Sequence, residues 1–173
     1  QEHFFRWFDG ERWQAHPHRD PAAELLHANR VTALLADGDG GMWLGMARGG
    51  IQRTDGVDWQ SVAVADVLPL DADVLDMAPA LGQLWVLTRS GLVYFDGGTW
   101  QPFGLSQTAN PNGPTQLAAG PDGDLWLAPG NVAEGLRRFD GRGWTIVPTW
   151  TEASVATGLG FGENGRLWLA GTL

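Results

Sequence analysis

Two short phrases recur four times in this chain and alternate along it. The first, Asp-Gly-x-x-Trp, ends at Trp13, Trp59, Trp100 and Trp144. The second, Gly-x-(Leu/Met)-Trp-(Leu/Val), contains Trp43, Trp85, Trp126 and Trp168, which are 42, 41 and 42 residues apart. A period of this length, built from short strands and glycine turns, is typical of β-propeller blades. The sequence therefore predicts an all-β propeller whose four-stranded blades are about 42 residues long.

Each repeat divides into four strands, which we call A to D in chain order. Three complete blades are predicted, over residues 31–62, 74–103 and 115–147. The fourth blade is divided between residues 155–172, which match strands A and B, and residues 4–15, which match strands C and D. Asp-Gly pairs suit the turns between strands, because both residues tolerate the positive φ that tight hairpins require.

The complementary ends predict that residues 1–173 form a single domain, closed as a ring of four blades. In such a ring the C-terminal strand B pairs with the N-terminal strand C, which removes the exposed sheet edges of an open array. The alternative is a fragment of a larger propeller. The chain begins with Gln1, which is consistent with a secreted mature protein and equally with a trimmed chain.

Composition narrows the classes of function. The chain is acidic, with a formal net charge of −9, which argues against a nucleic-acid partner because the phosphate backbone requires a basic face. No apolar run approaches the roughly 20 residues of a membrane-spanning helix. There is no cysteine, which excludes disulfides and thiol nucleophiles.

No cofactor and no metal site are predicted. His16, His18 and His27 fall in a proline-containing loop that lacks the spacing of a metal site, so we interpret them as solvated loop residues. The run from Asp37 to Gly40 lacks the further oxygen ligands of a calcium loop and is interpreted as a hairpin turn. The acidic positions Asp66, Asp71, Asp73 and Asp76 are interpreted as a solvated loop region rather than a cation site.

The irregular segments gather at one end of the predicted sheets. In an antiparallel blade the A–B and C–D turns lie on one face, here called the turn face, and the B–C and D–A connections lie on the other, the loop face. Binding residues concentrate on loops held by a rigid scaffold, so the loop face is the predicted binding surface. The D–A connections span residues 15–30, 63–73, 104–114 and 148–154.

Six residues of the loop face are the candidate ligand contacts. Arg48 and Arg89 occupy neighbouring positions in successive repeats, so their side chains are expected around one mouth of the ring, where convergent arginines suit a carboxylate or a phosphate. The third repeat carries Asn131 and Glu134 in the same connection. Trp150, which is outside the repeat, and His18 complete the predicted surface.

The block from Val31 to Gly45, followed by Gly50, Ile51 and Trp59, resembles the two-component-regulator propeller repeat. That repeat builds ligand-sensing domains of bacterial membrane sensor kinases, so the resemblance implies a propeller, a binding role and an extracellular or periplasmic location. The stretch from Gly120 to Leu127 also resembles the streptogramin lyase and lactonase-like propellers. Those are enzymes with a metal or a His/Glu site.

Three functions follow as hypotheses. The favoured one is a non-catalytic module that presents its loop face to a protein or a carbohydrate-like ligand. The second is a lyase- or lactonase-like enzyme with a metal at the central mouth of the ring. The third is a structural subunit that assembles with other chains. The periodic tryptophans are interpreted as packing between blades rather than as a ligand-stacking surface.

Overall fold

The structure is a computed structural model that describes residues 6–15, 30–48, 50–56, 58–62, 73–103, 116–149 and 155–172. Its described elements are strands and one short 3₁₀ turn at Val132–Glu134, which confirms the all-β class.

Three complete blades of four strands each follow one another along the chain. The first blade consists of β3 (Arg30–Ala36), β4 (Met42–Ala47), β5 (Ile51–Thr54) and β6 (Trp59–Val62). The second consists of β7 (Val74–Ala80), β8 (Gln83–Thr88), β9 (Gly91–Phe95) and β10 (Trp100–Phe103). The third consists of β11 (Gln116–Ala119), β12 (Leu125–Ala128), β13 (Leu136–Phe139) and β14 (Trp144–Val147).

Two further sheets contain two strands each. The N-terminal half-blade pairs β1 (Arg6–Phe8) with β2 (Trp13–Ala15), and the C-terminal half-blade pairs β15 (Val155–Phe161) with β16 (Leu167–Thr172). Each of the three complete blades is an antiparallel meander, and its first strand lies beside the first strand of the blade or half-blade that follows. Strands β3, β7, β11 and β15 therefore form the inner row that a propeller places along its axis.

The hydrophobic core consists of layers between successive blades. Strand β8 is buried over nearly its whole length because the first and third blades cover its two faces. Trp85, in this strand, is 1 % exposed and packs its ring centroid 5.0 Å from Phe103 and 6.0 Å from Phe139 of the third blade. This interdigitation supports the interpretation of the repeated tryptophans as packing between blades.

The recurring Asp-Gly phrase forms the same turn four times. Its glycines, at positions 10, 56, 97 and 141, have φ between 89° and 102°. In each turn the aspartate side chain accepts a hydrogen bond from the backbone N–H three residues later, at 2.8–2.9 Å. Glycine therefore supplies the left-handed backbone and aspartate satisfies a free amide, which explains why the two residues recur together.

Polar side chains of the inner strands tie neighbouring blades together. The Thr32 hydroxyl donates a hydrogen bond to the Val74 carbonyl oxygen of the second blade at 2.7 Å. The Asp76 carboxylate accepts the Leu117 N–H of the third blade at 2.7 Å. Thr32 lies within an irregularity in strand pairing and Asp76 lies directly after one.

The predicted closure of a four-blade ring is not found among the described residues. The two half-blades form separate two-stranded sheets, so β16 does not pair with β1 there. Their repeat tryptophans are exposed as a result, with Trp13 at 65 % and Trp168 at 63 %, whereas Trp85 in a complete blade is buried. The arrangement fits the alternative interpretation, a part of a larger propeller.

The contact between the first two blades leaves no room for a side chain at Gly45. A Cβ atom there would lie under 3.0 Å from the buried Val74 side chain. We expect Gly45→Ala to cost about 1–3 kcal/mol of unfolding free energy, measured by urea denaturation, because the blades must separate to accept it. Gly143→Ala is the control, since a Cβ there meets nothing within 4 Å and the variant should stay within about 0.5 kcal/mol of the original. Equal effects of the two variants would contradict this packing.

Candidate functional site

The Arg89 side chain and the Arg48 backbone amide both contact one carboxylate on the loop face, that of Asp73. The Arg89 Nε–H donates a hydrogen bond to Asp73 Oδ2 at 2.7 Å, and the Arg89 backbone N–H donates to the Asp73 carbonyl oxygen at 3.2 Å. Asp73 immediately precedes β7, the innermost strand of the second blade, and Arg48 lies in the B–C connection of the first blade. The node of Arg48, Asp73 and Arg89 therefore joins two blades near the axis of the fold.

Both arginines of this node lower the pKa of Asp73. The hydrogen bond from Arg89 holds the pKa of Asp73 below its ordinary value, despite the opposing effect of burial, and the charge of Arg89 acts in the same direction. The backbone amide and the charge of Arg48 lower that pKa further. Asp73 is therefore ionised at neutral pH and aligns the Arg89 side chain through its hydrogen bond.

The Arg48 backbone is strained. Its φ of 67° lies in the left-handed region, which is costly for a residue with a side chain.

Arg89 keeps part of its guanidinium group available. Its side chain is 71 % exposed although it is ion-paired. Only Nε contacts Asp73, and among the described residues the terminal amino groups have no hydrogen-bond partner. A guanidinium group carries five N–H donors in a rigid plane, so these groups can engage a second carboxylate.

The other predicted contact residues are placed only in part. Asn131 and Glu134 lie in the B–C connection of the third blade, where Asn131 Oδ1 accepts the Ala133 N–H at 3.2 Å and caps the 3₁₀ turn. His18 and Trp150 lie outside the described residues. Ligand contact by these four residues stays a prediction.

A different arrangement on the turn face escaped the sequence analysis. In the first blade Asp37 Oδ2 accepts hydrogen bonds from Arg53 at 3.0 and 2.7 Å, and the Arg53 guanidinium lies 5.4 Å from the centroid of the Trp43 ring. Burial raises the pKa of Asp37, but the Arg53 hydrogen bonds and the N–H groups of Asp39 and Gly41 outweigh it, so the pKa is lowered. We call this the carboxylate–guanidinium–indole stack.

The third blade contains the same stack, but the aspartate and the glycine of its A–B turn have exchanged positions. Arg138 lies 5.9 Å from the centroid of the Trp126 ring and pairs with Asp124. The first blade begins its A–B turn with Asp37 and ends it with Gly41, whereas the third begins with Gly120 and ends with Asp124. A Cβ atom on either glycine would collide with the carboxylate of its own turn, so each blade accommodates one of the two aspartates and not both. The second blade carries Tyr94 opposite Trp85 instead of an arginine.

The acidic positions near the axis have internal partners. Asp73 binds Arg89, and Asp76 accepts the N–H groups of Met77 and Leu117. Burial raises the pKa of Asp76 despite these two bonds. Within the described ranges no group of three or more His, Asp or Glu side chains is positioned to hold a metal ion. Asp66, Asp71 and all four histidines lie outside those ranges.

Comparisons with known proteins agree with this architecture. A protein-family model described as "Two component regulator propeller" matches residues 25–48, which confirms the resemblance of the first repeat to that family. No curated protein sequence matches the chain. Among solved structures, a catalytically inactive virginiamycin B lyase from Staphylococcus aureus with quinupristin is similar at 18 % identity and a TM-score of 0.70. The alignment covers 95 % of this chain and 55 % of the lyase, in agreement with the second resemblance.

Two further structures are similar. The extracellular domain of a putative hybrid two component system from B. thetaiotaomicron aligns at 18 % identity and a TM-score of 0.64, covering 82 % of this chain and 20 % of that one. YCF48 bound to D1 peptide aligns at 20 % identity and a TM-score of 0.63, covering 94 % and 52 %. At these identities the likeness establishes the propeller fold.

The chain spans about half the length of the lyase and YCF48 chains and about a fifth of the sensor chain. In the part of the chain that the structure describes, no helix has the length and apolar character needed to cross a membrane.

Proposed function

We propose that this chain is a non-catalytic binding module whose loop face holds a protein segment through a carboxylate bound at Arg48 and Arg89. The observation that carries the proposal is the convergence on Asp73 of the Arg89 side chain and of the backbone amide and charge of Arg48, from neighbouring blades. Asp73 aligns Arg89 without occupying its terminal amino groups. A ligand carboxylate completes the pairing in the bidentate geometry that arginine favours.

The ligand carries a single carboxylate, such as one acidic side chain or a C-terminus, rather than a run of acidic residues. The net charge of −9 repels a polyacidic partner over long distances, whereas one short-range arginine pair overcomes that repulsion locally. The similar fold of YCF48 bound to a peptide supports a protein segment as the ligand over a carbohydrate. Asn131, Glu134, Trp150 and His18 form the rest of the proposed surface.

The similar sensor structures, which are named as extracellular domains, support an extracellular or periplasmic location for this chain. A propeller with stacked blades suits such a role, because a side chain such as Arg89, already aligned by Asp73, loses little conformational entropy on binding.

The test is a selection of peptides from a random displayed library on the immobilised chain. Peptides selected on the original chain should carry a carboxylate, and Arg89→Gln should weaken their binding about 10- to 100-fold because a charged hydrogen-bond pair is lost. Arg89→Lys should recover part of the affinity, since it keeps the charge but not the planar donor group. Binding is measured by titration calorimetry.

The matched control for this test is Arg12→Gln. Arg12 is also exposed and also lies near an aspartate, Asp9 at 3.9 Å, but it belongs to the turn face. Its replacement should leave the affinity unchanged. Equal losses in the Arg12 and Arg89 variants, or selected ligands whose binding ignores both arginines, would overturn the proposal. Binding of oligosaccharides alone would overturn the choice of a protein segment.

A further inference from the structure

A pocket opens between the first two blades on the turn face, at the opposite end of the sheets from the loop face. Its volume is about 250 Å³, and its walls include Leu35 and Trp43 from the first blade and Pro79, Gln83 and Leu84 from the second. The proposed binding surface at Arg48 and Arg89 does not include it.

The corresponding junction between the second and third blades is closed by a backbone hydrogen bond and by side-chain packing. There the Leu81 N–H donates a hydrogen bond to the Gly123 carbonyl oxygen at 2.7 Å, and the Leu81 side chain packs into the core layer between those blades. Leu81 adopts a φ of 55°, which is strained for a leucine. These contacts hold the A–B turn of the second blade against the third blade, on the side away from the pocket.

Two polar groups at the walls of the pocket have no hydrogen-bond partner among the described residues. The indole N–H groups of Trp85 and Trp126 donate to Ala80 O and Asp124 Oδ2, both at 3.0 Å. The indole N–H of Trp43, at the same position of the first repeat, has no such acceptor in the described part of the chain, and neither does the amide of Gln83. An indole N–H can only donate, so it selects an oxygen or nitrogen acceptor on a ligand.

The described residues that line the pocket offer no unpaired charge. Asp37 contributes to its wall, but its carboxylate already accepts the Arg53 hydrogen bonds and two backbone N–H groups. A charged ligand would lose hydration without gaining a counter-charge. Leucine, proline and tryptophan walls instead favour an apolar ring.

We infer that this pocket binds a small uncharged ligand with an apolar ring and a carbonyl oxygen. The ring lies against Leu35, Pro79 and Leu84. The carbonyl oxygen accepts hydrogen bonds from the Trp43 indole N–H and the Gln83 amide. Such a site combines apolar side chains in its walls with a few polar groups that set orientation, as small-molecule sites do.

The probe for this inference is N-methylbenzamide, titrated into ¹⁵N-labelled protein while the indole N–H resonances are observed. The Trp43 resonance, identified by its loss in Trp43→Phe, should shift downfield with saturation as its N–H gains an acceptor. The Trp85 indole is the internal control, because its N–H is already bonded to Ala80 O, and its resonance should not move.

Two variants complete the test. Gln83→Phe fills the pocket and should abolish the Trp43 shift, or weaken the affinity at least tenfold, while its other resonances show that the protein is folded. Arg89→Gln on the loop face should leave the shift unchanged, which separates this site from the proposed function. A Trp43 resonance that does not move at millimolar probe, equal shifts of all indoles, or unchanged binding by Gln83→Phe would overturn the inference.

Discussion

Replacement of Trp85 by alanine is expected to lower the free energy of unfolding by about 3–5 kcal/mol, among the largest effects of any single substitution in this chain. The indole is buried between the second and third blades and packs against Tyr94 and Phe103 with centroid distances of 5.0 Å. Its removal leaves a cavity that the neighbouring blade must shift to fill, and it frees the Ala80 carbonyl oxygen from its hydrogen bond. Equilibrium denaturation in urea measures the loss.

Trp168→Ala is the matched control for this prediction. Trp168 occupies the same position of the repeat but is exposed, because among the described residues no third strand pairs with β16. Its removal should cost less than about 1 kcal/mol. A cost as large as that of Trp85→Ala would show that the C-terminal half-blade is covered in solution and would contradict the open arrangement of the half-blades.

Acidification is the second large effect. The thermal midpoint is expected to fall on the order of 10 °C between pH 6 and pH 3. The pKa values of Asp9, Asp37, Asp73, Asp96 and Asp140 are lowered in the folded protein by hydrogen bonds from turn amides or from arginine, which outweigh burial where it opposes them. A lowered pKa means that the folded state binds fewer protons than the unfolded state. The stabilisation is therefore present above the unfolded pKa and is lost as pH falls through the folded pKa.

Two variants test the sign of this effect. Asp37→Asn should be less stable than the original chain at neutral pH. It should lose less stability on acidification, because the carboxylate with the lowered pKa has been removed. Asp76 has a raised pKa, so its contribution is present at low pH and is lost as pH rises through that pKa. Asp76→Asn should therefore make the acid loss steeper. Parallel pH profiles in all three proteins would contradict these assignments.

The repeat made most of the fold predictable. A tryptophan period near 42 residues, with Asp-Gly at fixed offsets, defines strands and turns locally, and both features depend on residues within one blade. The carboxylate–guanidinium–indole stacks were not predictable in the same way. Asp37 and Arg53 are 16 residues apart, and the third blade exchanges the positions of its aspartate and its glycine, so no single motif describes both stacks.

The candidate site was predictable in part for a similar reason. Equivalent positions in successive repeats must lie near one another in a propeller, which brought Arg48 and Arg89 together from the sequence alone. Their shared partner, Asp73, precedes a strand and has no counterpart in the repeat phrases, so its role required the register of β7 and β8. Ring closure was the least predictable feature. It depends on how the blades are arranged around the axis, and the sequence pattern within a single blade does not determine that arrangement.

The most direct test of the proposed binding surface is amide hydrogen exchange of the chain with and without a selected peptide. We expect slower exchange on binding in the B–C connections at residues 47–50 and 88–91, with no change in the A–B turn at residues 37–41 or the C–D turn at residues 96–99. Protection confined to the turn face would contradict it, and would place the ligand at the other end of the sheets.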